Sequence, residues 1–181
     1  WHGRTTQRLR RKMKGLEALL AERTAELQLY SRAVEQSAAS IVVTDRMKKI
    51  EFVNPAFTVN TGYTAEEVIG RFPLALRTNV LPQETYRSLQ ETLRRGEVWT
   101  GELVSQRKDG SLLYERAIIS PVRDETGQIS HHVTVKDNIT AQKEAEMALH
   151  RNEALFQLAF ENVGIGMGLV DLEGRFVRVN R

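Results

Sequence analysis

The chain of 181 residues contains no cysteine, only four prolines and no long apolar run. The absence of cysteine excludes disulfides, thiolate catalysis and cysteine-ligated metals, and it fits a reducing cytoplasm. No stretch of about 18 apolar residues is present, so the sequence predicts no membrane-spanning helix within it. Serine, histidine and acidic residues form no catalytic constellation, and no glycine-rich phosphate loop occurs. We therefore predict that this part of the protein is not an enzyme.

The chain also has little excess of either charge, since its net charge is only +3. This value gives no case for nucleic-acid binding. Positive charge does gather near the start, at Arg4, Arg8, Arg10, Arg11, Lys12 and Lys14. Two interpretations stay open: a solvated helix end, or the cytoplasmic flank of an upstream transmembrane segment. We expect a cytoplasmic protein, either free or tethered through such a segment.

One pattern occurs twice, at a constant offset of 126 residues. Thr44-Asp45 and Phe52-Val53-Asn54 in the first copy correspond to Val170-Asp171 and Arg178-Val179-Asn180 in the second. A fixed offset between such unlike residue types indicates tandem domains. We therefore expect a second domain that begins near residue 161 and continues beyond Arg181.

Apolar residues between Thr6 and Ser37 repeat at heptad spacing, which is typical of a coiled-coil helix. The predicted seam consists of Leu9, Met13, Leu16, Leu20, Leu27, Tyr30 and Val34. Packing of a single helix on its own domain is the alternative. The sequence favours a homodimer that is joined through this helix.

The pattern then changes to period two, which predicts strands. A strand pair spans residues 41–53, and Asn54-Pro55 begins a short helix as cap and first residue. Thr64 to Glu67 form a capping box for another short helix, and a longer helix extends from Leu81 to Gly96. Three more strands are predicted from Val98 to Arg107, Ser111 to Val122 and Gln128 to Lys136. The predicted fold class is α+β: a five-stranded antiparallel sheet, short helices on one face and a long helix in front.

These residues resemble a PAS domain from about Tyr30 to Thr140. The resemblance is carried by Asn54-Pro55-Ala56-Phe57, Thr61-Gly62-Tyr63, Glu67-Val68-Ile69-Gly70, Trp99-Thr100-Gly101-Glu102, Arg107 to Ser111 and Asp137-Asn138-Ile139-Thr140. It implies a sensory or dimerising module of a signal transducer, with a histidine kinase or cyclic-di-GMP enzyme as effector in the same chain. The predicted parts are a signalling helix (1–37), the PAS domain (38–140), a linker helix (141–160) and the truncated start of a second PAS domain (161–181).

A sheet that faces short helices leaves a cavity between them, where a ligand can bind. The predicted cofactor contacts are Phe57, Asn60, Leu76, Trp99, Leu103 and Ser105. Leu74, Leu89 and Leu93 are further candidates, as are Ile129, His131, Val133 and Val135, which share one phase of the last strand. A purely apolar core without ligand, in a module used only for interaction, is the alternative.

Among cofactors, the resemblance favours FAD or FMN, because Trp99 to Glu102 look like redox-sensing flavin PAS domains. Phe72, Leu74 and Ser105 depart from the polar residues that flavin binders carry there, and Pro73 together with the missing cysteine excludes a cysteine adduct. Haem is disfavoured, because the helix from Leu81 to Arg95 contains no histidine. Adjacent His131 and His132 point to opposite faces of a strand and cannot ligate a metal as a pair. Asp137, Ile139 and Thr140 are predicted to relay the signal, with Thr140 capping the linker helix.

Overall fold

The computed structural model describes residues 2–73 and 82–180, with side chains at residue 7 and from residue 10 onward within those ranges. In chain order, the elements are α1 (His2–Glu35), β1 (Ser40–Asp45), β2 (Ile50–Val53), α2 (Pro55–Thr61), α3 (Ala65–Val68), α4 (Gln83–Arg94), β3 (Trp99–Gln106), β4 (Leu112–Arg123), β5 (Ile129–Asn138), α5 (Thr140–Asn162), β6 (Gly168–Val170) and β7 (Phe176–Val179). They form two compact units, which meet along the chain between Asn138 and Ile139. Within the described ranges, no helix is both long and apolar enough to cross a membrane.

The first unit is built on a five-stranded sheet in the order β2-β1-β5-β4-β3. Every neighbouring pair that is registered in this sheet is antiparallel. Strand β1 lies beside β5, with Ile41 opposite Val135, so the first and last strands of this sheet are neighbours and β5 is its central strand. The predicted α+β class, the five antiparallel strands and the long preceding helix are confirmed.

The hairpin turns use an aspartate at their start and a left-handed residue near their end. Asp45 Oδ1 accepts a hydrogen bond from the Lys49 amide at 2.8 Å, and Lys48 has a φ of 64°. Asp124 Oδ1 accepts from the Thr126 amide at 2.9 Å in the turn between β4 and β5. An aspartate closes such turns because its carboxylate accepts from the backbone amides that follow it.

Buried Asn54 ties the end of α1 to the sheet and to α2. Its Oδ1 accepts from the amides of Ile41 (2.8 Å) and Phe57 (3.1 Å). Its Nδ2 donates to the carbonyls of Val34 (3.1 Å) and Ala39 (2.9 Å). The amide thus uses both donors and both acceptor positions, which a buried asparagine needs to offset its desolvation. The predicted role of Asn54 as a helix cap is confirmed, and the cap also contacts α1.

The inner face of the sheet covers the core, and the outer face is only partly covered. Inward residues include Val42 and Thr44 on β1 and Ala117 and Ile119 on β4, all of them buried. The register then places a polar row of β5 on the inner face: His132, Thr134 and Lys136. The expectation that Ile129, His131, Val133 and Val135 line the cavity is therefore wrong.

The inward residues of β5 were predicted wrongly because both faces of this sheet carry apolar side chains. Hydrophobicity therefore did not determine which residues of β5 face the cavity. Val133 and Val135 pack among apolar residues of the neighbouring strands on the outer face, opposite Val43 and Ile118. Ile118 is still 45% exposed there. Cross-strand pairs of β-branched residues stabilise an antiparallel sheet even on its more exposed face.

The second unit contains α5 and the hairpin β6–β7, whose geometry repeats that of β1–β2. The register pairs of β1–β2, including the bulge, recur 126 residues later in β6–β7. Asn180 Oδ1 accepts from the Met167 amide at 2.7 Å, and its Nδ2 donates to the Ile165 carbonyl at 2.9 Å. These bonds reproduce those of Asn54 with Ile41 and Ala39 at the same offset.

Candidate ligand-binding cavity

A cavity lies between the inner face of the sheet and the helices α2 and α4. The volume that the centre of a water molecule can reach is about 100 Å³. By the same measure, a single water needs about 10–15 Å³. Its apolar wall is formed by Val42, Ile50, Phe57, Pro73, Leu89, Leu93, Leu103 and Ile119. Its polar side is formed by Thr44, Lys48, Gln90, Ser105, His132, Thr134 and Lys136. An apolar wall with a few polar groups is typical of a site for a small organic ligand.

The helix α2 positions Phe57 against the sheet. The Asn54 cap and Pro55 at the first helical turn set where this helix begins, and Gly62 ends it with a φ of 77°. Phe57 is 1% exposed and packs with Val42, Ile50 and Val53. Burial of such a ring contributes about 1.5–3 kcal/mol, so the cavity wall is also part of the core.

An ion pair lies beside the part of the cavity that Ser105 and Lys136 line. The Glu115 side chain is 1% exposed, and its Oε2 accepts hydrogen bonds from Lys136 Nζ at 3.0 Å and from Ser105 Oγ at 2.8 Å. The Lys136 side chain is 15% exposed and lines the cavity. A carboxylate that is buried this deeply is tolerated only with a cation and hydrogen-bond donors beside it.

His132 lies toward the other end of the same polar row. It is buried, and its Nδ1 has no hydrogen-bond partner within the described residues. Burial lowers the pKa of His132 below its ordinary value, and the charges of Lys48 and His131 lower it further. The imidazole is therefore neutral at neutral pH, and one of its ring nitrogens is unsatisfied. An unpaired buried polar atom is costly and marks a site where a ligand or water is expected.

The side of the cavity that is lined by exposed Lys48, in the turn after β1, is called its mouth below. Its Nζ donates to Gln90 Oε1 of α4 at 3.3 Å. Lys48 is the non-glycine residue with positive φ in the described ranges. Its equivalent in the second hairpin, 126 residues later, is Gly174, with a φ of 81°. Glycine adopts this conformation without the steric cost that a side chain brings.

The structure brings together only part of the predicted cofactor site. Phe57, Leu103 and Ser105 line the cavity, as do the further candidates Leu89 and Leu93. Leu76 and Leu74 lie outside the described residues. Which molecule these side chains contact stays a prediction.

Asn60 and Trp99 are placed elsewhere. Asn60 donates to Ser40 Oγ at 2.9 Å and accepts from Asn138 Nδ2 at 3.1 Å, and it is not a lining residue. Trp99 is buried in a cluster with Leu89 and Leu103, and its ring lies so close to Gly101 that a Cβ there would overlap it. Trp99 therefore supports the cavity wall from behind.

Sequence reasoning missed the polar residues that line the cavity: Thr44, Lys48, Gln90, His132, Thr134 and Lys136. Their signal was present in β5, where three polar residues alternate with two valines. The apolar phase of a strand is usually assigned to the core, so the polar phase was assigned to solvent. The missing information was the bonded partner Glu115, which comes from the adjacent strand.

The predicted seam of α1 is on the surface of the described chain. Met13, Leu16, Leu20, Leu27 and Tyr30 are each at least 57% exposed, and Val34 is partly buried. The Leu9 side chain lies outside the described residues. An exposed heptad seam is what a helix that pairs with another helix presents, and the pairing stays a prediction.

The predicted relay residues lie at the junction of β5 and α5. Asp137 is exposed and stands opposite Arg116 on β4, while Ile139 and Thr140 are buried. The expectation that Thr140 caps the helix is wrong. Ile139 occupies the cap position without a side-chain hydrogen bond, and Thr140 is the first helical residue. The β-strand continues to Asn138, two residues further than predicted, and the helix begins one residue earlier than a Thr140 cap would place it, so only Ile139 separates the two elements.

The side chains that line the cavity bear on which cofactor it can hold. Within the described ranges, no group of three or more histidine, aspartate or glutamate side chains is arranged to hold a metal. In chemical character, the apolar wall would suit the faces of a planar heteroaromatic ring such as that of a flavin, and Ser105, His132, Thr134 and Lys136 would supply hydrogen bonds to its edge.

Comparisons with known proteins agree with this fold. A nitrogen fixation regulatory protein from Klebsiella oxytoca is 30% identical over 152 residues, which are 84% of this chain and 31% of that protein. A blue-light-activated histidine kinase from Brucella canis is 27% identical over 62% of this chain and 24% of that protein. The chain thus spans about a third of the length of the first of these relatives, and less of the second.

A solved light-oxygen-voltage domain, whose mechanism was studied with a flavin analogue, superposes with a TM-score of 0.57. It is 25% identical, and the match covers 67% of this chain and 93% of that domain. The family model described as PAS domain matches residues 38–141, which include all five strands of the first sheet. The chain therefore belongs to the PAS domain family, as its sequence predicted.

Proposed function

We propose that this chain is the sensory part of a larger signal-transduction protein, whose cavity binds a small ligand or cofactor. The observation that carries the proposal is the polar row on the inner face of β5, above all the unpartnered Nδ1 of His132. A purely structural core gains nothing from such a row, because each buried polar group costs free energy unless it is bonded. The similarity to a nitrogen fixation regulator and a histidine kinase supports a role in regulation. The proposed effector is a histidine kinase or a cyclic-di-GMP enzyme in the same chain.

The favoured cofactor is FAD or FMN, which would supply a response to redox state or light. Phe57 and Leu103 would contact the faces of the ring, and Ser105, Thr134 and Lys136 would hydrogen-bond its edge. The test is the absorption spectrum of the purified protein, followed by identification of whatever acid denaturation releases. A flavin spectrum is expected. Protein that is colourless and releases no small molecule would refute ligand binding, and a colourless protein that releases a metabolite would refute only the flavin.

The proposed route of the signal starts at α2, because Phe57 lines the cavity and Asn54 caps the same helix. Asn54 also donates to Val34 near the end of α1. A shift of α2 on ligand binding therefore changes a hydrogen bond to the signalling helix. A contact of this kind contributes about 1 kcal/mol, enough to bias two states that differ by a few kcal/mol.

The proposed dimer forms through α1, whose 34 residues extend about 50 Å at 1.5 Å per residue. Burial of its exposed apolar seam against a second copy would remove side chains such as Leu20 and Leu27 from water. We further propose that α5 and β6–β7 begin a second domain of the same fold, supported by the repeated register and asparagine bonds. The test is a longer chain that includes the proposed second domain: a second cooperative unfolding transition is expected.

A second candidate is a ligand-free interaction module. The specific observation in its favour is the partly exposed apolar outer face of the sheet, where Phe52 is 39% and Ile118 is 45% exposed. The spectrum and the released molecules separate the two candidates. A module that is empty as purified but dimeric after disruption of the α1 seam would favour the second.

A further inference from the structure

The charges around the cavity indicate what kind of ligand it takes, if the proposed ligand-binding function holds. Lys48, His132 and Lys136 line it, and no aspartate or glutamate does so within the described residues. Residues 74–81, which lie outside that description, contain no acidic residue at all. The lining is therefore basic wherever it is charged.

The two lysines differ in how their charge is balanced. Lys136 is paired with Glu115 at 3.0 Å, so its charge is compensated inside the protein. Lys48 donates to the neutral amide of Gln90, and among the described residues no carboxylate lies within ion-pair distance of it. The uncompensated positive charge is thus at the mouth.

His132 belongs to the same end of the cavity as Lys48. Both side chains line the cavity, and His132 stands opposite Thr44, four residues before Lys48 in the chain. Burial lowers the pKa of His132, and the charge of Lys48 lowers it further. His132 also has the unpartnered buried Nδ1. A negatively charged group between the two would pair with Lys48 and would favour protonation of His132 as a second donor.

Lys48 also occupies a backbone position that favours glycine, with a φ of 64°. The second hairpin has Gly174 at the equivalent place. Residues with a strained backbone conformation are often found at ligand sites, because the function of the side chain there offsets its steric cost. The strain at Lys48 is therefore consistent with a role for its side chain.

We propose that the cavity binds a small molecule with an apolar body and a single acidic group, a carboxylate or a phosphate, which lies at the mouth beside Lys48 and His132. The apolar body contacts Phe57, Leu89 and Leu103. A cationic ligand is excluded, because it would meet Lys48 without any carboxylate to balance its charge.

Binding of the acidic group is coupled to proton uptake by His132. The titratable or charged groups near it are Lys48 in the turn, His131 on β5, Asp45 and Glu51 on the His131 side of the sheet, and the Glu115–Lys136 pair farther along the inner face. Helix α4 presents neutral Gln90, α2 presents Phe57, and β4 presents Pro121 opposite His132. None of these supplies a carboxylate on the cavity side, so the ligand itself provides the negative charge.

The test uses three probes with one apolar body: 2-naphthoate, 2-naphthyl phosphate and neutral 2-naphthamide. Isothermal titration measures their affinity for the whole chain and for the variants Lys48→Met and Lys49→Met. Lys49→Met is the matched control. It removes the same charge from the neighbouring residue, whose side chain does not line the cavity. At least one acidic probe is expected to bind about tenfold or more tightly than the amide, and Lys48→Met is expected to abolish this preference. Lys49→Met is expected to keep it.

The proton coupling has its own readout. The affinity of 2-naphthoate, whose carboxylate stays ionised over this range, is expected to rise as pH falls from 8 to 6 in the wild type, and to stay level in His132→Leu. Equal binding of naphthamide and the acids, or equal effects of the two lysine variants, would overturn the inference while leaving the ligand-binding function intact. A wild-type chain that binds none of the three probes also overturns it. The absorption spectrum and released molecules then decide separately whether the proposed function stands.

Discussion

The buried pair of Glu115 and Lys136 gives the sharpest prediction about stability. Replacement of Lys136 by methionine keeps most of the side-chain volume but removes the ammonium 3.0 Å from Glu115 Oε2. The carboxylate, only 1% exposed, then keeps Ser105 as its hydrogen-bond donor among the described residues. Loss of one partner from a buried pair costs about 3–5 kcal/mol, because the other charge stays buried without compensation. For a chain of this size, this corresponds to a fall of about 6–20 °C in melting temperature.

The assay is urea unfolding of the wild type, Lys136→Met, Glu115→Leu and the double variant. The double variant is expected to recover most of the loss, because replacement of both charges by apolar groups removes the desolvation penalty. The matched control is Arg116→Met, which breaks the exposed pair of Arg116 and Glu102 at 3.9 Å. Its expected cost is below about 1 kcal/mol. The reasoning is refuted if Lys136→Met costs no more than the control, or if the double variant is as unstable as the sum of the single variants.

Three other outcomes are expected. Asn54→Ala should lower the free energy of unfolding by about 2 kcal/mol or more, since four hydrogen bonds are lost, and urea titration that finds less than about 0.5 kcal/mol would contradict the role of this amide. Simultaneous replacement of Leu16, Leu20 and Leu27 by serine should give monomers that keep the sheet signal in circular dichroism, and dimers in light scattering would move the interface away from α1. The stability that neutral His132 contributes is present above pH 6.5 and is lost as pH falls through its lower folded pKa, because the unfolded chain takes up the proton first. His132→Leu should flatten this part of the profile, and an unchanged slope between pH 6.5 and 5 would assign it to other groups.

The fold could be predicted from local chemistry, because each boundary of the first sheet has its own signal. Asn54-Pro55 begins α2, Gly110 lies in the turn between β3 and β4, and Asp124 closes the next turn. These signals act over a few residues, so one sequence is sufficient to recognise them. The heptad spacing in α1 is a local signal of the same kind, since it repeats along one element, and pairing through it stays a prediction.

The cavity was harder to predict, because it depends on which residues of distant strands face each other. The inward position of Lys136 follows from its pairing with Glu115, 21 residues away on another strand. Local hydrophobicity predicted the opposite phase of β5, where Val133 and Val135 form the apolar set. The cap of α5 was also predicted wrongly: the helix begins at Thr140 itself, so Ile139 occupies the cap position, while pairing with Glu115 extends β5 to Asn138.

The left-handed backbone of Lys48 has a consequence for anyone who engineers this module. Lys48→Gly would relieve about 1 kcal/mol of steric cost and would imitate Gly174 in the second hairpin. Selection of a library for thermal stability alone would therefore favour glycine at this turn. Each variant selected in this way would lack the Lys48 ammonium at the cavity mouth. In the proposed binding mode, stability and ligand recognition compete for this one position. A screen that measures melting temperature alone would then select variants that survive heating but no longer distinguish an acid from its amide.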